Sequence, residues 1–124
     1  LEVLAKTAWA ILAAAHAAPA AALFSRRLFF RIYGVSWEGV NGVLLRHRSA
    51  LFLAIVTLCL WACFDPGARP AASAVVALSI LSFLWIYVKA GMPSGPLRTI
   101  AVVDTAALAP LALVALDAWW SQAA

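Results

Sequence analysis

The chain has 124 residues, of which 66% are hydrophobic and 11% charged, with a formal net charge of +4. A soluble domain of that size could not cover so much apolar surface, so the composition points to a membrane protein built as a single domain over residues 1–124. The basic residues fall at the ends of apolar runs, where Lys and Arg meet phospholipid headgroups, and this placement excludes nucleic acid as a partner.

Crossing the hydrocarbon takes about 20 apolar residues. Four runs qualify, at residues 7–24, 43–64, 71–88 and 97–120, and the expected fold is an all-α integral membrane bundle of four transmembrane helices. Residues 1–24 are followed by basic residues, whereas a signal peptide carries them in front, so this run is read as a span. It is rich in alanine: Ala10, Ala14, Ala18 and Ala22 repeat at spacing four, as do Ala13, Ala17 and Ala21. Small residues so spaced let helix backbones approach closely in lipid, and this span is expected to pack against protein on two sides. Pro19 here and Pro110 in the fourth span each remove a backbone hydrogen bond.

The first connection holds Arg27 and Arg31, Leu28 and Ile32, and Phe29 and Tyr33, each pair four apart. That spacing predicts a short amphipathic helix in the interface plane, broken off by Gly34, Gly39 and Gly42. Arg26, Arg27 and Arg31 are the expected lipid headgroup contacts, and Glu38 is the connection's only acid. The helix reads as a surface anchor or, more specifically, as a docking surface for anionic lipid or an acidic partner.

The second span carries Arg46, His47 and Arg48 in its first turns. Cys59 and Cys63, four apart on one helix, cannot form a relaxed disulfide and read as small hydrophobic packing residues. Asp65-Pro66-Gly67 separates it from the third span, in which Ser79 and Ser82 either bond a neighbouring helix or return a bond to their own. Met92-Pro93-Ser94-Gly95-Pro96 breaks the chain before the fourth span. With four crossings, connections one and three share a side and carry seven basic residues, Arg26, Arg27, Arg31, Arg46, Arg48, Lys89 and Arg98, against Lys6 and Arg69 opposite. The positive-inside rule then places both termini outside the cytoplasm, with Trp9, Trp61, Trp119 and Trp120 near the outer interface.

Two ionisable residues lie within the spans. Asp104 is roughly 10 Å inside its helix at about 1.5 Å per residue. Arg46 or Arg48 is within reach, and a pair with either would relieve the cost of burying the carboxylate. Such a pair would orient two helices, or line a polar pocket for a headgroup or small ligand, or serve a proton relay. His16, near mid-bilayer, reads as a neutral imidazole bonded to a neighbouring helix, as an axial ligand to haem or chlorophyll, or as a relay partner of Asp104. His47 lies at another depth, which argues against a haem held by two histidines. No zinc-ligand spacing, Gly-rich phosphate loop or serine nucleophile elbow is present, and neither an enzymatic activity nor a resident metal or cofactor is expected.

The order AAHAAP at residues 14–19, Ile32-Tyr33-Gly34-Val35, then Leu45-Arg46-His47-Arg48-Ser49-Ala50-Leu51-Phe52, with Ser82-Phe83-Leu84 and Val102-Val103-Asp104, resembles a group of small bacterial four-helix membrane proteins, loosely DoxX-like. The likeness covers roughly residues 10–116, and Arg46-His47-Arg48 is its most specific element. It implies a bacterial inner membrane location and the polar positions His16, Arg46, His47, Arg48 and Asp104. Many members carry the automatic label phosphopantetheine adenylyltransferase, a soluble α/β activity that uses an H-x-G-H type motif; this chain has none. The leading expectation is an accessory subunit packed on a larger respiratory or photosynthetic membrane complex. The alternatives are a binding module whose five polar residues hold a quinone, lipid or pigment, and a small DoxX-like redox helper.

Overall fold

Long apolar runs punctuated by proline and glycine become four long helices, and the paired residues of the first connection become a fifth, short one. The computed structural model describes the backbone of residues 1–123 and the side chains of residues 1–121. The helices are α1 (Glu2–Ala21), α2 (Arg26–Tyr33), α3 (Gly39–Phe64), α4 (Arg69–Lys89) and α5 (Pro96–Ala123), with a 3-10 turn at Pro66–Ala68 before α4. α1, α3, α4 and α5 are each long and apolar enough to cross a membrane.

The boundaries differ from the sequence expectation where polar caps and glycines decide them. α1 begins at Glu2, whose charge suits the first turn of a helix. It stops at Ala21 because the chain turns toward Ser25, whose hydroxyl accepts the Leu28 amide at 3.2 Å and caps α2. Gly34 ends α2 in the left-handed region, at φ 70°. Gly39 opens α3 and Gly42 lies buried inside it, so neither breaks the chain there. A Cβ at Gly42 would run into the Trp37 carbonyl; glycine lets the linker 34–38 close down on α3.

α1 packs along α3 and α5, α4 packs along α5, and α3 touches α4 only lightly. Trp9, Leu12, Cys59, Val76, Ile80 and Val114 form the centre and are fully enclosed. Cys59 and Cys63 are free thiols in this core. α1 does meet protein on two sides, but through Ala5, Ala8, Trp9, Leu12, Ala13, His16 and Ala20. Of the expected alanine rows only Ala13 and Ala22 are buried; Ala10, Ala14, Ala17, Ala18 and Ala21 are exposed. Trp9, expected at an interface, is a core residue because it lies on the buried stripe. α2 buries Phe29 and Tyr33 against Ala22, Leu45, Trp37 and Ile100, so its apolar side faces the bundle. Ser82 donates back to the Ser79 carbonyl of its own helix. The α4–α5 bridge comes instead from Trp119, whose indole N–H donates to Ser73 Oγ at 3.0 Å.

One side chain joins all four long helices at the end where the chain begins. Arg69, at the start of α4, is 3% exposed. Its Nε and Nη2 donate to the carbonyls of Ala62 at 2.8 Å and Cys63 at 3.1 Å, in the last turn of α3. Those carbonyls have no partner within their own helix. Its Nη1 and Nη2 make a two-pronged bond to the Glu2 carboxylate of α1 at 3.1 and 2.7 Å. Asp117 of α5 stands 3.8 Å from Nη1. Glu2 is itself exposed, so the larger loss on removing the buried guanidinium is that of the two donors to the end of α3. Arg69→Ala is therefore expected to lower the thermal melting point in detergent well below that of Arg69→Lys, which keeps the charge and loses the fork. Equal melting of the Ala variant and the parent, followed by circular dichroism, would contradict this account of the bundle end.

Candidate functional site

At the opposite end, α1, α2, α3 and α5 line a cavity of about 370 Å³. Small-molecule sites span roughly 300–1,000 Å³. Small residues make the room: Ala15, Ala18 and Pro19 of α1 face Pro96, Ile100 and Val103 of α5, with Phe52 of α3 and Ile32 of α2 closing the walls. Four polar side chains interrupt this apolar lining: His16, Asp104, Thr99 and Arg31. Pro96, Ile100 and Asp104 recur at spacing four, so they share one face of α5.

His16 is 1% exposed, and its ring centroid is 5.6 Å from that of Phe52. Its Nδ1 lies 2.8 Å from the Leu12 carbonyl of its own helix. A carbonyl oxygen only accepts, so Nδ1 carries the proton and donates, and the neutral ring keeps Nε2 as an acceptor. Nε2 is buried and has no partner. The expected bond from His16 to a neighbouring helix is thus replaced by one within α1, which orients the ring and leaves its other nitrogen free. Asp104 is 7% exposed and makes no ion pair among the described residues.

The five polar residues expected to share a pocket separate into two groups. His16 and Asp104 line the same cavity; Arg46, His47 and Arg48 do not. Successive residues of a helix point in different directions, so three in a row cannot converge on one point. His47 is exposed. The Arg46 guanidinium lies 4.9 Å from the Trp37 ring centroid. That of Arg48 lies 4.7 Å from Phe52 and 5.2 Å from Phe83. Neither forms the expected ion pair with Asp104, because aromatic faces hold both cations.

Of the expected headgroup contacts, Arg27 is exposed, and Arg26 pairs loosely with Glu38 at 3.4 Å on the surface. Arg31 also lines the cavity rim. That role, with those of Thr99 and Phe52, was missed by the sequence reading; the face shared by Pro96, Ile100 and Asp104 was the available signal. Among the described residues, no three His, Cys, Asp or Glu side chains gather as a metal set. In comparisons with family models, curated proteins and solved structures, nothing matches this chain.

Trp37 closes this end of the bundle: its ring packs edge-on to Phe29 at 5.4 Å and covers Arg46 and Arg26. Inside a helix, alanine is normally favoured over glycine by about 1 kcal/mol. At Gly42 the sign is expected to reverse, because the added Cβ displaces the Trp37 backbone. Gly42→Ala should lower the melting temperature in detergent; a rise would show that the linker yields freely.

Proposed function

We propose that this chain is an integral membrane protein that crosses the bilayer four times and binds a small amphiphile in the cavity of His16 and Asp104. The observation that carries this reading is the unpartnered His16 Nε2. A buried acceptor left without a hydrogen bond costs about 1–3 kcal/mol, and a ligand hydroxyl would supply the missing bond. Phe52 and the aliphatic walls suit a single ring, and the exposed edge of Ala18 and Thr99 offers a tail a way out. A quinol head fits this chemistry: one hydroxyl donates to Nε2, and the polar groups of Thr99, Arg31 or Asp104 meet the far side. In this reading the seven basic residues at the cavity end face the cytoplasm, and both termini lie outside. The likeness to small bacterial proteins makes the inner membrane the proposed location.

The test is titration of the purified protein, in zwitterionic nanodiscs, with a short-tailed benzoquinol and separately with its quinone, read by tryptophan quenching. The quinol is expected to bind more tightly than the quinone, since only the quinol donates to Nε2. His16→Phe is expected to weaken quinol binding by about 10-fold, the worth of one buried hydrogen bond. His16→Gln, which keeps an acceptor, should weaken it less. Unchanged binding in His16→Phe would sink the proposal, as would a preference for the quinone.

The accessory-subunit reading is supported by a different observation, the exposed small-residue face of Ala10, Ala14, Ala17 and Ala21 on α1. It calls for co-purification with another chain in fixed stoichiometry that Ala14→Trp abolishes.

A further inference from the structure

We propose a second site, independent of the quinol cavity: the groove between α3 and α4, at the end rich in basic residues, holds the phosphate of an anionic glycerophospholipid, with Arg48 as its cation. A pocket of about 320 Å³ lies there, with Arg48, Tyr33, Ser79, Ser82 and Tyr87 among its lining residues. Arg48 makes no ion pair among the described residues. Phe52 and Phe83 fix the guanidinium by its faces. Stacking of that kind leaves the in-plane N–H donors unspent, and a tetrahedral oxyanion accepts such a fork well.

No carboxylate makes a direct ion pair with Arg48 among the described residues, although its charge reaches Asp104. Glu38 is taken by Arg26, and Asp104 lines the other cavity. Of the lining hydroxyls, Tyr33 shares a bond of 3.2 Å with Ser49 in which either oxygen donates. Tyr87 already donates to the Pro93 carbonyl at 2.7 Å, and Ser82 donates to the Ser79 carbonyl at 3.2 Å. The Ser79 hydroxyl remains to donate beside Arg48.

The occupant is a lipid rather than an aqueous phosphate for two reasons. Phe83, Ile86, Leu45 and Leu97 make the walls apolar, and a doubly charged aqueous ion would shed its hydration there for a single cation. The pocket also opens on the outer face of α4, where Ser82 and Ile86 are exposed, along a seam in which α3 and α4, both of membrane-crossing length, touch only lightly. An acyl chain fills such a seam while its headgroup stays with Arg48. Lys89, stacked on Trp85 at 4.8 Å, adds positive charge at the same end.

The experiment uses the whole protein in a zwitterionic detergent. It measures the thermal shift and, by native mass spectrometry, the number of lipids retained. Three additives are compared: phosphatidylglycerol, phosphatidylcholine and inorganic phosphate. The expected result is one tightly retained phosphatidylglycerol and a rise in melting temperature that neither other additive gives. Arg48→Gln should weaken that affinity by about tenfold, the range of a charge-assisted hydrogen bond. Arg48→Lys should retain part of it. Arg46→Gln, whose guanidinium sits on Trp37 elsewhere, and His16→Gln should keep parental binding. If Arg48→Gln does not fold, Ser79→Ala and Arg48→Lys carry the test, each binding more weakly than the parent. The proposal is overturned by equal binding in parent and Arg48 variants. Equal losses in Arg46→Gln and Arg48→Gln, which mark a diffuse field, also overturn it, as does protection by inorganic phosphate as strong as that by the lipid.

Discussion

The bundle depends on the guanidinium of Arg69. Helix ends expose carbonyls that must find donors. Arg69 supplies two such donors to the end of α3 and turns its remaining fork to Glu2, so α1, α3 and α4 are gathered at one point. Asp117 brings α5 to the same place. Trp119 and Ser73 repeat the α4–α5 tie beside it. Directional bonds gather the helices at this end, and both cavities described above lie at the other.

At the open end, aromatic rings do the work that carboxylates do at the closed one. Trp37, Phe52 and Phe83 hold Arg46 and Arg48 by their faces. A guanidinium so held keeps its charge without neutralising an acid, which is why Asp104 stays unpaired so close to a basic cluster. Phe52 has a double position. It contacts His16 on one side and Arg48 on the other, and so separates an apolar cavity with an acceptor from a groove with a cation. The two proposed sites would therefore take opposite chemistry, a neutral donor in one and an anion in the other.

The helices were legible in the sequence because their signals are local. The pairs at spacing four from Arg27 to Tyr33 mark α2, and the apolar runs mark the four long helices to within a turn or so. The faces of α1 were not legible. Alanine fits a close helix contact and an exposed position equally well, so its repeats do not say which row is buried; Trp9, Leu12 and His16, at helical spacing, carried that information. Arg46-His47-Arg48 looked like one cluster because it is contiguous, and contiguity on a helix scatters side chains around the axis. Arg69 and Glu2 are 67 positions apart, and no local pattern joins them.

The unpaired state of Asp104 also bears on what the cavity is for. A carboxylate kept only to register two helices gains from a direct partner, as Glu2 does from Arg69. At Asp104 a basic cluster is available on the same end of α3, yet the chain spends it on rings. His16 repeats the pattern from α1: its one intramolecular bond goes to its own backbone and fixes the ring, which leaves Nε2 unmatched. Among the described residues, His16 Nε2 has no partner and Asp104 makes no ion pair, and both border one space, which is what the proposed ligand would use.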